Sequence, residues 1–140
     1  MKKNLIILLV ILSSSFSCKK EGCTDPKALT YDSEAKKDDG TCEYSSATFY
    51  VNKSGYSGYT ISNVNVTVNG SSIGNMNTVY YPSGPGNCMA NGTLPYQFND
   101  GEAIQWNSTI TLSGTTTIVY GSGTVEPDPG NECVKINVAP

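Results

Sequence analysis

Five cysteines restrict how this chain can fold more than any other feature: Cys18, Cys23, Cys42, Cys88 and Cys133. In an oxidising compartment four of them can form two disulfides, in any of three pairings, and the fifth needs a different role. The start of the chain indicates which compartment the thiols meet.

That start has the three parts of a secretory signal. Lys2 and Lys3 supply positive charge, residues 5–12 form a short apolar core, and small residues precede Cys18. The apolar run is much shorter than the roughly 20 residues that a membrane-spanning helix needs. We therefore predict a signal peptide over residues 1–17 that is later removed.

Two interpretations of the cleavage before Cys18 compete. Ser15 and Ser17 satisfy an ordinary small-x-small site, which would leave Cys18 as a plain thiol. Ser-Phe-Ser-Cys also resembles a bacterial lipobox, although leucine is more usual at Ser15 and a smaller residue at Phe16. This resemblance implies a lipid, such as palmitate, on Cys18. Cysteine parity favours the lipoprotein, because lipidation gives the odd cysteine a role.

Composition divides the rest of the chain near residue 45. Residues 18–45 are dense in charge, whereas residues 46–140 hold two lysines and five acids among many Ser, Thr, Asn, Gly, Val and Tyr residues. The latter are typical of strands and turns. We expect an N-terminal module over 18–45 and a β domain over 46–140. The boundary favours the pairs Cys23–Cys42 and Cys88–Cys133, one in each part.

The module follows the pattern C-T-D-P-x-A-x-x-Y-D-x-x-A-x-x-D-D-G-x-C from Cys23 to Cys42. This pattern resembles a Cys-stapled module of secreted and surface proteins of Bacteroidota, with Thr30 where Asn is more usual. The resemblance implies compartment and lineage and brings no activity. Too few apolar residues are present to build a core, so a disulfide is expected to hold the module together.

The β domain is predicted from alternation and turn residues. Val64, Val66 and Val68 alternate with polar residues, as in a half-buried strand, and Asn69-Gly70 is typical of a type I′ turn. Strands are expected over 47–51, 59–69, 72–76, 78–81, 93–98, 104–112, 115–120 and 133–138. Residues 82–92 and 121–132 are expected to be loops. Short strands separated by Gly, Pro and Asn predict an all-β fold with a single small β-sandwich.

Four segments of this domain resemble a group of Bacteroidota lipoprotein domains. They are V-x-V-x-V-N-G-S-S-I-G (64–74), P-x-N-C (85–88), W-N-S-T-I-T-L (106–112) and the last cysteine strand (133–138). The first hairpin is also similar to PEGA-type envelope domains. The resemblance implies an Ig-like or PEGA-like sandwich and supplies no catalytic residue.

Charge and residue types argue against several function classes. The chain has no histidine and no arginine, and removal of the signal would leave seven lysines against twelve acids. A nucleic-acid surface needs a basic patch, so no nucleic-acid partner is expected. Without histidine, the commonest general base and metal ligand is missing, and there is no Gly-x-Ser-x-Gly motif. We therefore expect no catalytic residue, no cofactor and no enzymatic activity.

Acidic residues leave two alternatives open. Asp25, Asp38 and Asp39 are weak candidates for calcium, because hard cations prefer carboxylate oxygens, but their spacing is not that of a calcium loop. The plainer interpretation is that they fix turns, and no metal is expected. The acids of the β domain could serve a hydrolase as a carboxylate pair or could be solvated turn residues: Asp100, Glu102, Glu126, Asp128 and Glu132.

Aromatic residues are the best candidates for ligand binding. Tyr56 and Tyr59 lie in a Gly-rich loop or hairpin tip, and Trp106 is the lone tryptophan. Rigid aromatics beside Asn and Ser are common on binding faces. The alternative is that Trp106, together with Phe49, fills a core that is poor in leucine.

These observations favour a non-enzymatic interaction or accessory subunit of the cell envelope, anchored through Cys18 and bound to an envelope protein. A small glycan-binding module is the first alternative and a hydrolase the second. We expect the outer membrane, with the cell surface favoured over a periplasm-facing anchor. Lys19-Lys20-Glu21 resembles the short charged runs of Bacteroidota surface-export signals, which usually carry more acid.

Overall fold

Alternating apolar side chains form strands over most of the β domain. The structure is a computed structural model that describes residues 19–77, 79–114 and 117–139, and these residues contain no helix. The strands are β1 (Ser46–Tyr50), β2 (Gly55–Tyr56), β3 (Tyr59–Val68), β4 (Ser71–Met76), β5 (Leu94–Gln97), β6 (Ile104–Leu112), β7 (Thr117–Val125) and β8 (Cys133–Asn137). The predicted all-β class is confirmed.

Two sheets pack against each other as a small sandwich. The smaller sheet has the order β5-β1-β8, with β1 antiparallel to β5 and parallel to β8. The larger sheet has the order β2-β3-β6-β7, and β4 also pairs with β3. All of its pairings are antiparallel.

The core lies between the facing sides of these sheets. Val64, Val66 and Val68 point inward from β3, as their period predicts, and Phe49 of β1 is fully buried. Most other core side chains are aliphatic and of moderate size: Ala47, Val51, Ile61, Met76, Ile104, Ile110, Leu112 and Val138. Because few large side chains are available, hydrophobic burial alone gives this small domain limited stability.

Two type I′ turns form the hairpins of β3. Asn69 and Gly70 have φ angles of 49° and 81°, which confirms the predicted turn between β3 and β4. Ser57 and Gly58 have φ angles of 51° and 83°, and they join β2 to β3 in the same way. This conformation follows the twist of paired strands, so both hairpins close tightly.

Both predicted disulfides are present. Cys23 bonds to Cys42 within the module, with Cα atoms 4.8 Å apart. Cys88 bonds to Cys133 at the start of β8, with Cα atoms 5.5 Å apart. The composition boundary thus selected the correct pairing out of three.

The Cys88–Cys133 disulfide holds the 82–92 loop against the outer face of the smaller sheet. Gly84 of this loop lies beside the ring of Tyr50, and Pro85 is fully buried. Thr48 has no exposed surface although it lies in the centre of β1. The central strand of the smaller sheet is therefore covered on both faces.

Part of one loop prediction and one strand prediction are wrong. Residues 121–125, expected to start a loop, continue β7 and pair with β6 as far as Ile104↔Val125. The prediction failed at Gly121 and Gly123, because glycine is typical of loops. In the structure these glycines leave room for the indole of Trp106, and a Cβ on Gly123 would lie only 2.9 Å from it. Residues 79–81 form no strand, although Tyr81 N donates to Val51 O at 2.8 Å. Residues 78, 115 and 116 lie outside the described residues.

We predict that Cys88→Ala with Cys133→Ala lowers the free energy of unfolding by about 4 kcal/mol, because the bridge closes a long loop. The two cysteines are separated by 45 positions. Urea unfolding followed by Trp106 fluorescence measures the change. Cys23→Ala with Cys42→Ala is the matched control and should shift the Trp106 transition less, because that bridge closes the module. Equal shifts for both pairs would contradict this role of the loop.

Candidate functional site

The predicted lipidation site lies outside the part of the chain that the structure describes. Residues 1–17 and Cys18 both fall there, and the described chain begins at Lys19. Within the described residues, no helix is long and apolar enough to cross a membrane.

Immediately after that point, the charged run of residues 19–21 is tied into the module. Lys20 Nζ lies 2.7 Å from Asp32 and 2.8 Å from Glu34, and Lys37 Nζ lies 2.6 Å from Glu21. These pairs are exposed and each contributes little to stability. They nevertheless connect residues 20 and 21 to residues 32–37 of the module.

The three calcium candidates all act in turns. Asp25 Oδ1 accepts a hydrogen bond from Lys27 N at 2.9 Å, and Asp38 Oδ1 accepts one from Gly40 N at 2.9 Å. Asp39 Oδ1 accepts from both the N–H and the hydroxyl of Thr41, which lowers the pKa of this carboxyl. Among the described residues, no three His, Cys, Asp or Glu side chains are close enough together to hold a metal.

Three of the five β-domain acids are also engaged in local contacts. Asp100 accepts from Glu102 N at 3.0 Å and Asp128 accepts from Gly130 N at 2.9 Å, so both fix turns. Glu126 lies 3.5 Å from Lys27 of the module. A carboxylate pair for hydrolysis needs two acids that are available to the same substrate bond, and these contacts do not indicate such a pair.

Three hydrogen bonds lie at the junction between the module and the β domain. Tyr44 Oη donates to Asp25 Oδ2 at 2.7 Å, and Lys27 Nζ donates to Gly101 O at 2.8 Å. Gln97 Nε2 donates to the Tyr44 carbonyl at 2.8 Å. A depression of about 400 Å³ lies along this junction, lined by Cys42, Glu43, Tyr44, Gln97, Phe98 and Asn99.

The hydrogen bond between Tyr44 and Asp25 changes the pKa of both groups. Because the phenol donates to a carboxylate, the pKa of Tyr44 is raised to about 12. The Lys27 N–H and the Tyr44 hydroxyl lower the pKa of Asp25. The pair is therefore strongest when the phenol is neutral and the carboxyl is ionised.

The candidate tyrosines form an exposed surface that includes a third tyrosine. Tyr56 and Tyr59 are direct cross-strand partners on either side of the turn, so their side chains share one face of the hairpin. Tyr120 packs edge-to-face on Tyr56, with ring centroids 6.2 Å apart. The exposed fractions are 36% for Tyr56, 58% for Tyr59 and 40% for Tyr120. We call these three residues the tyrosine cluster.

Sequence reasoning missed Tyr120 because it lies 61 positions from Tyr59 along the chain. Only the folded sheet brings the Tyr120 ring, on β7, into contact with the Tyr56 ring, on β2. An exposed tyrosine in a strand of otherwise small polar residues was the one available signal.

Trp106 packs against the core and does not belong to the tyrosine cluster. Its ring packs on Phe49, with centroids 6.0 Å apart, and covers Gly121 and Gly123. The side chain is partly buried against the core. This placement favours the core alternative over ligand binding.

A polar depression lies on the surface formed by β6 and β7. It measures about 290 Å³ and is lined by Gln105, Trp106, Asn107, Ser122, Gly123 and Thr124. Gln105 faces Thr124 and Asn107 faces Ser122 across the ladder. Four neutral amide and hydroxyl side chains thus line the depression around Gly123. These side chains can donate and accept hydrogen bonds with a neutral polar ligand.

We predict that Tyr44→Phe lowers the free energy of unfolding by about 1 kcal/mol near neutral pH, by removing the hydrogen bond to Asp25. The raised pKa makes this stabilisation complete below pH 10.0, the ordinary value, and lost as the pH rises towards about 12. The variant should lose this alkaline component. Urea unfolding across that pH window measures it, and Tyr31→Phe, at an exposed tyrosine of the same module, should behave as wild type.

Comparison of the chain with protein-family models and with curated proteins found no match. Its function must therefore be inferred from the module, the tyrosine cluster and the polar depression.

Proposed function

We propose that the protein is a lipoprotein of the outer membrane, anchored through Cys18, that acts without catalysis as an interaction subunit of the cell envelope. One observation carries the proposal of an anchor: the two disulfides use all four cysteines that follow Cys18. In an exported chain the remaining cysteine then needs a role of its own, and lipid at the signal boundary supplies it.

The tyrosine cluster is the proposed contact surface for an envelope protein. Tyrosines offer large, rigid contact areas with a polar tip and are enriched where partners bind. Tyr56 and Tyr59 stand on a hairpin closed by a type I′ turn, and Tyr120 packs on Tyr56 from β7. No charged residue lies in β2 or β3, which suits a desolvated contact.

A non-catalytic role is supported by the engagement of the acids. Asp100 and Asp128 fix turns, and Glu126 pairs with Lys27. The chain has no histidine, which is the commonest general acid or base in enzymes.

Glycan binding is the second candidate, and the polar depression favours it. Its amide and hydroxyl groups match sugar hydroxyls, and its lining carries no charge. In this alternative the glycan would be a neutral one.

We predict that Cys18→Ser abolishes incorporation of radiolabelled palmitate and moves the protein from the membrane to the soluble envelope fraction. Both follow because acyl chains provide the membrane affinity. Cys23→Ser with Cys42→Ser is the matched control and should still incorporate the label. Unlabelled wild-type protein would refute the anchor.

We predict that Tyr56→Ala, Tyr59→Ala and Tyr120→Ala together reduce recovery of the partner by about tenfold or more, because buried aromatics dominate contact energy. Gentle detergent extraction with a tag after Pro140, followed by identification of partners, measures recovery. Tyr31→Ala, at an exposed tyrosine of the module, is the matched control.

The same variants separate the two candidates. Binding to a neutral glycan array that is lost on Asn107→Ala with Ser122→Ala, with protein recovery unchanged, would favour the glycan module. If the triple tyrosine variant retains every partner, the cluster is not the contact surface.

A further inference from the structure

The four edges of the two sheets differ in how they are protected. Exposed strand edges invite pairing with other chains, and proteins usually block them with Pro, charged side chains or irregularities. In the smaller sheet, β5 contains Pro95 and β8 carries exposed Lys135. In the larger sheet, the register of β4 against β3 shifts at Val66/Thr67.

The fourth edge, β7, has none of these protections beyond residue 120. Residues 121–125 (GSGTV) pair regularly with β6, and among the described residues no strand pairs with their other side. They include no proline and no charge, and Ser122 and Thr124 are exposed. Alternate residues therefore present unpaired backbone groups to solvent.

This edge also adjoins an uncharged surface. None of the five strands of the larger sheet, within the bounds given above, contains Lys, Arg, Asp or Glu. The chain as a whole has a formal net charge of −3. Glu126, just past the edge, lies 3.5 Å from Lys27. Two acidic copies thus meet little electrostatic repulsion at β7.

We propose that two copies of this chain pair through β7, antiparallel and with Gly123 at the two-fold axis, to form one continuous sheet. The register is self-complementary. Ser122 of each copy faces Thr124 of the other, and such hydroxyl pairs stabilise antiparallel strands. Gly121 faces Val125, so no two bulky side chains collide. A two-fold interface of this kind needs one surface patch that matches itself.

The pairing is independent of the proposed function. It requires neither the lipid nor the tyrosine cluster, although confinement to a membrane would raise the local concentration of copies.

The test uses the full chain purified in detergent, with molar mass measured by light scattering over a concentration series. Ser122→Lys with Thr124→Lys places like charges opposite each other in both Ser–Thr pairs and should raise the dimer Kd about tenfold or more. The matched control is Thr109→Lys with Thr111→Lys, on β6, because these residues pair with Val119 and Thr117 and not with residues 121–125. Its Kd should stay within about twofold of wild type.

A second variant guards against a folding defect. Ser122→Glu with Thr124→Glu should also be monomeric, but mixing it with the lysine variant should restore a heterodimer, detected by two different tags. Wild-type protein that is monomeric throughout, a lysine variant that still dimerises, or a mixture that does not recover would each overturn the proposal. Monomeric wild type whose envelope partner is lost in the lysine variant would assign this edge to a foreign strand instead.

Discussion

The fold depends on the covalent closure of a long irregular loop over a light core. Phe49 is the one fully buried aromatic side chain among the described residues, and most of its neighbours are valine, isoleucine or alanine. The Cys88–Cys133 bridge adds a further layer by fixing the 82–92 loop on the outer face of the smaller sheet. Thr48 and Pro85 are buried by this arrangement, so the central strand of that sheet is enclosed although the sheet has only three strands.

Local sequence patterns predicted the parts of the fold that depend on residues close together in the chain. Val64, Val66 and Val68 indicated an inward-facing strand, and Asn69-Gly70 indicated its turn. Residues 121–125 were wrongly predicted as a loop because Gly-Ser-Gly-Thr has the composition of one. It becomes a strand through pairing with β6 and through Trp106, which occupies the space left by Gly121 and Gly123. Tertiary context of this kind overrides intrinsic strand preference.

The candidate surfaces likewise include some residues that are close in sequence and others that meet only in the folded chain. Tyr56 and Tyr59 were predicted as candidates because they lie three positions apart in a Gly-rich segment. Tyr120 and the four polar residues of the depression come together only across strands, so no sequence window contains them. The acids illustrate the opposite case: Asp25, Asp38 and Asp39 are each bonded within two residues, which is the range that turn patterns describe.

The parallel pairing of β1 and β8 has a mechanical consequence. The module precedes β1 at one end of this pair, and the chain leaves β8 at the other end, across five matched residue pairs. Tension that pulls the module and the C-terminal residues apart would therefore load the ladder along its length. All of its hydrogen bonds would share the force together, whereas a hairpin pulled at its open end separates one bond at a time. The sandwich is thus expected to resist force applied between the module and the C-terminal residues.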